Sequence, residues 1–134
     1  MTVSGMRSGL ATNLATISGI RTYADIPDNP IMPAAVVQLQ SVSYNQAFAR
    51  GLTEYNFVVT IIFGRVATSQ AQKAMDELID DGGGRSVKSA IESDKTLDGN
   101  AYDTRVAEMT NITSVTIGDI TYLSADFAVT VFAD

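Results

Sequence analysis

Four carboxylates fall within six residues at Asp76, Glu77, Asp80 and Asp81. Such a cluster can ligate a divalent cation or divide acid and base roles among its members. These four, however, sit near the end of an amphipathic helix in which Leu78 and Ile79 turn inward. The expected role is therefore a solvated, subunit-facing or lumen-facing acidic patch. Asp94-Lys95-Thr96-Leu97-Asp98-Gly99 opens like a calcium-binding loop. Yet Thr96 takes the third position, Arg105 takes the position of the closing Glu, and a strand follows, so no calcium site is expected. Gly82-Gly83-Gly84-Arg85-Ser86 has the glycines of a phosphate-cradling loop but lacks the G-x-x-x-x-G-K-[ST] spacing and follows a helix. It reads as a helix C-cap joined to a helix N-cap. Asn111-Ile112-Thr113 matches a glycosylation acceptor, which has meaning only in a secreted chain.

The sequence has neither cysteine nor histidine. Disulfide frameworks, thiolate nucleophiles, Cys/His zinc sites and imidazole catalysis are thereby excluded. Serines and lysines are present, but no spacing arranges them as nucleophile and base. No catalytic residue, cofactor site or metal site is expected. A net charge of −6 argues against nucleic-acid binding, which needs clustered Lys and Arg to displace counterions.

With 134 residues and a hydrophobic fraction of 46%, the chain has the size and composition of one well-packed domain, residues 1–134. The strongest apolar run, Phe57 to Phe63, is far too short for a bilayer, and the start of the chain does not look like a secretion signal. A soluble protein without membrane contact is expected.

The elements that must position any surface follow from periodicity. Val3, Met6, Leu10, Leu14 and Ile17 form a helical stripe, with Gly19 placed to end the helix. Gly5 and Gly9 weaken that helix by roughly 1 kcal/mol each relative to Ala. Ile20 to Ala24 reads as a short strand. A connection holding all three prolines follows, and then a strand from Ala34 to Val42. Ser43 to Gly51 reads as a loop. The long strand from Leu52 to Val66 places Tyr55, Phe57, Val59, Ile61 and Phe63 on one face and Glu54, Asn56, Val58, Thr60 and Ile62 on the other. Ser69 opens a helix to Asp80, and Ser86 caps a short one carrying Val87, Ala90 and Ile91. The strand from Tyr102 to Thr116 alternates irregularly, which predicts a bulge. Gly118-Asp119 turns it into a final strand, Ile120 to Ala133. The order α-β-β-β-α-α-β-β predicts an α+β fold: a mostly antiparallel sheet of about five strands with helices packed on one face.

Several segments together resemble the small tail terminator (tail completion) proteins of siphophages, especially actinophage-like ones. They are Gly51-x-x-x-Tyr55-x-Phe57-x-Val59, Phe63-Gly64-Arg65-Val66, Ser86 through Gly99, and Tyr122-Leu123-Ser124-Ala125-Asp126-Phe127. The strand Ile20-Arg21-Thr22-Tyr23 and the link to Pro33-Ala34-Ala35 fit as well. The likeness runs in order along nearly the whole chain. It departs at Lys95, where such proteins often have Pro, and at Asp98, where they often have a second Gly.

The resemblance implies a non-enzymatic virion protein assembled in the host cytoplasm. Copies of the chain would form a ring, expected to be hexameric, on the finished tail tube. The ring would stop tube polymerisation and join the tail to the head connector or stopper protein. Partners would be further copies of itself, the major tail tube protein and that connector; DNA would pass through the lumen without specific binding. The expected interface residues are Asn45 and Arg50 in one loop, Asp94, Lys95 and Asp98 in another, and Tyr55, Val58 and Ile62 on the long strand. The competing expectations are another neck component, such as a head-completion or stopper protein, and a small-molecule-binding α+β dimer.

Overall fold

Thr2 starts the first helix by accepting a hydrogen bond from the Gly5 N–H through its hydroxyl, at 2.9 Å. This helix, α1, spans Val3–Leu14 and buries Met6, Leu10 and Leu14 along its apolar stripe. It stops earlier than the stripe suggests. The Thr16 hydroxyl takes the Asn13 carbonyl at 2.7 Å, and tighter turns carry the chain on to Ile17, which stays buried. Gly19, the expected terminator, lies outside the described residues. The computed structural model describes residues 2–17, 20–23, 34–44, 53–65, 69–80 and 86–133.

The remaining elements are β1 (Arg21–Tyr23), β2 (Ala34–Ser43), β3 (Thr53–Arg65), α2 (Ser69–Ile79), α3 (Val87–Ile91), β4 (Asp103–Ile117) and β5 (Ile120–Ala133). Among the described residues, five strands form one sheet in the order β1-β2-β3-β5-β4. All neighbours are antiparallel except β1 and β2, which run parallel. The fold is α+β with a mostly antiparallel open sheet. A parallel pair needs a crossover rather than a hairpin; the proline-bearing stretch between β1 and β2 lies outside the described residues.

Helices cover one face. There Ala35 and Val37 of β2, Phe57, Val59, Ile61 and Phe63 of β3, and alternate residues of β5 from Leu123 to Ala133 join the stripe of α1, Leu78 of α2 and Val87 and Ile91 of α3 in one core. Tyr55 is half-buried at its margin. The alternation of β3 and β5 thus selects the buried face by side-chain direction alone. Gly118, at φ +63, is the first of two residues linking the Ile117–Ile120 pair, the place where a type II′ hairpin requires a glycine. Register shifts in β4 between Val106 and Glu108 and between Thr110 and Thr113 account for its irregular alternation.

Candidate interaction surface

The segment from Ser93 to Tyr102 lies along α1, and three residues of α1 spaced four apart fix it there. A Cβ built on Gly9 would stand 2.7 Å from the Leu97 Cβ, and one on Gly5 would collide with the Asn100 side chain. Asn13, buried one turn further on, donates through its Nδ2 to the Ile91 carbonyl and to the Asp94 carbonyl, each at 3.0 Å. The glycines that weaken the helix are therefore a flat track for this segment. Leu97 enters the core fully buried, and it does so at φ +48, followed by Asp98 at φ +57 and Gly99 at φ +85. A branched residue in this region is strained, and the close packing against Gly9 holds it there.

Asp94 organises the outer side of the same segment. One carboxylate oxygen accepts from the Thr96 hydroxyl at 2.7 Å and the Thr96 N–H at 3.1 Å; the other accepts from the Asp98 N–H at 3.0 Å. The Thr96 hydroxyl and then the Asp98 N–H hold this carboxyl below its ordinary value of 3.8. Both oxygens are turned to the loop's own donors. Beside it runs an open groove of about 380 Å³ lined by Gly5, Ser8, Gly9, Thr12, Asp94, Asp98 and Asn100. Lys95 and Asp98 point to solvent. Among the described residues no group of three or more carboxylates could hold a metal ion. Asp76 and Glu77 are exposed on α2 and Asp80 just after it, and Asp81 lies outside the described residues.

The face of the sheet that no described helix covers is built in rows across the strands. Ser41 of β2, Asn56 of β3, Thr130 of β5 and Arg105 of β4 share one row; Asn56 donates to Ser41 Oγ at 3.1 Å and accepts from Thr130 Oγ1 at 3.3 Å. Two rows on, the Thr60 hydroxyl donates to Asp126 at 2.8 Å. Between these rows Val58 is half-buried and flanked by Ala128 and Gln38. Ile62 is different. It is fully buried with Ala34 and Tyr122 in a small cluster of its own, so its side chain is enclosed by this chain rather than offered to another.

The register places the points where the two expected docking loops join the sheet at one end of it. Ser43 pairs with Glu54, Glu54 with Phe132, and Phe132 with Asp103, so the end of β2, the start of β3 and the start of β4 share one end of the sheet. The loop after β2, with Asn45 and Arg50, lies outside the described residues, but its flanks fix where it leaves the sheet. The Asp94–Asp98 segment enters at the same end through Tyr102, whose N–H donates to the Phe132 carbonyl at 2.7 Å. Tyr44 and Tyr102 are 72% and 56% exposed there. Neither had a sequence signal, because an isolated tyrosine at a strand end reads equally well as core. Exposed tyrosines at the mouth of two loops suit protein contact, since the ring is apolar and the hydroxyl tolerates water.

At the level of class, this is an α+β domain whose most prominent exposed features are one sheet end, one helix-free face and two sheet edges. No protein-family model matches the chain, and no curated protein matches it.

Proposed function

We propose that this chain is a structural virion protein that closes into a ring at the head-proximal end of a phage tail tube, ends tube growth and joins the tail to the head connector. The observation that carries this is that β2 ends, β3 begins and the Asp94–Tyr102 segment enters β4 at one end of the sheet, where Tyr44 and Tyr102 are exposed. A subunit that works by shape needs such an end, facing along the ring axis toward a tube or connector. It also needs separate lateral surfaces to meet its copies. A closed ring requires two different lateral patches that mate head to tail, and an open sheet has two different edges. The sequence likeness to tail terminators supplies the biological setting.

Deletion of the gene from its phage tests the assignment. Filled heads without tails, beside tails of uncontrolled length, are the expected result. Free tails of normal length would point to a head-side neck protein, and a phage of unaltered morphology would end the assignment.

A further inference from the structure

The outermost strand, β4, has an edge that is only half covered. At its start the chain protects it. The Thr104 hydroxyl donates to the Lys95 carbonyl at 2.9 Å, and the Val106 N–H donates to Glu92 Oε2 at 3.0 Å. Beyond the bulge at Ala107 the described residues show no further bond on the side away from β5. The stretch left open is Met109-Thr110-Asn111-Ile112-Thr113-Ser114-Val115-Thr116-Ile117-Gly118, ten residues without a charge or a proline. Ile112 is 53% exposed within it, and Thr113 to Ile117 keep unbroken register with β5, so their outer backbone groups form a straight ladder. Natural sheet edges of this length are blunted by lysines, prolines or covering segments, because a bare ladder recruits another strand.

We propose that the Thr113–Ile117 edge is a lateral interface that pairs with the β1 edge of a second copy; this rests on the ring assignment above and specifies its subunit contact. The charges at the margins decide between the two ways a second copy could bind. Exposed Glu108 precedes the uncharged run and exposed Asp119 follows it. Antiparallel pairing of β4 with its own copy would set Glu108 beside the partner's Asp119 at both ends, like charge against like. The opposite edge of the sheet is β1, which carries exposed Arg21. Edge β4 against the short edge β1 can set Arg21 beside Asp119, the carboxylate next to the Thr113–Ile117 ladder. It is also a head-to-tail contact, the kind that closes rings.

Sedimentation velocity of the full-length chain tests this, with Ser114→Lys/Thr116→Lys placing two charges on exposed edge positions and circular dichroism confirming that the variant folds. The wild type should sediment as a concentration-dependent oligomer and the double variant as a monomer. Arg21→Glu alone should lower the association constant by about tenfold or more, and Arg21→Glu with Asp119→Arg should recover most of it. Wild-type rings that persist unchanged in every variant would overturn the edge assignment and leave the ring standing. A wild type that is monomeric at every concentration, and also on sheared tail tubes, would overturn both.

Discussion

Gly9 and Leu97 occupy each other's only available space: a single methyl group on Gly9 would lie 2.7 Å from the Leu97 Cβ and 3.0 Å from its Cα. Leu97 meanwhile stays buried at a positive φ. The contact joins the first helix to the segment that leads into β4.

Gly9→Ala should destabilise the protein although alanine is the better helix former. The propensity gain is about 1 kcal/mol, but the new Cβ meets the Leu97 backbone and the Cβ fixed to it, which cannot move aside, an overpacking effect of about 1–3 kcal/mol. Gly5→Ala meets the tip of the Asn100 side chain, which can swing away at the loss of its bond to the Leu97 carbonyl. Urea denaturation should therefore rank Gly9→Ala clearly below Gly5→Ala.

Leu97→Ala and Asp98→Gly should move stability in opposite directions. Truncating Leu97 removes a fully buried side chain and should cost about 2–5 kcal/mol. Glycine at Asp98 relaxes a left-handed residue worth about 1 kcal/mol of strain, and it keeps the N–H that Asp94 accepts. A rise in Tm for Asp98→Gly beside a fall for Leu97→Ala is the expected pair.

Asn13→Ala should cost about 1–3 kcal/mol, because it leaves the Ile91 and Asp94 carbonyls without their buried donor. Amide exchange at Thr96 and Asp98 should accelerate in this variant, since the Asp94 turn loses its anchor on α1. Unchanged exchange would show that the turn holds itself.

Acid should weaken the clamp on β4. Burial pushes the Glu92 carboxyl up, but the Val106 N–H and then the Lys88 ammonium, paired with it at 2.9 Å, outweigh burial, and its pKa lies below the ordinary 4.5. Asp94 likewise lies below 3.8. A carboxylate depressed on folding contributes stability that is present above its unfolded value and lost as pH falls through its folded value. Thermal melts of the wild type should therefore steepen in their pH dependence below about pH 4.5. Melts of Glu92→Gln/Asp94→Asn should be flatter there and lower at pH 7.

On β3 the two expected contact residues of the helix-free face should separate. Ile62→Ala should destabilise the isolated chain by about 2–4 kcal/mol, as a buried residue does. Val58→Ala, half-buried on the open face, should change monomer stability by less than about 1.5 kcal/mol. An effect of Val58→Ala on assembly alone would mark it as a contact.

Much of this molecule was legible from the residues. The alternation of Leu123, Ala125, Phe127, Val129 and Val131, the stripe of α1, the Gly118-Asp119 turn and the irregularity of β4 each report a local rule, in which side-chain spacing sets which way a residue points. The order of eight elements and the one-sided helical layer follow from those rules. The candidate surface was legible only in part. Asp94, Lys95 and Asp98 were visible as a polar loop, whereas Tyr44, Tyr102 and Ile112 were not, because exposure depends on what the rest of the chain covers.

The sequence by itself determined which residues form strands and helices, and which face of each is apolar, because these depend on neighbours one to four positions away. Only the tertiary structure decided that β5 inserts between β3 and β4, leaving β4 at one end of the described sheet. It alone decided that Ile62 is enclosed, and that two helix-weakening glycines are the seat of a strained leucine. Those outcomes rest on contacts between residues far apart in the chain, where packing volume and hydrogen-bond pairing, rather than local propensity, choose among the arrangements that the pattern allows.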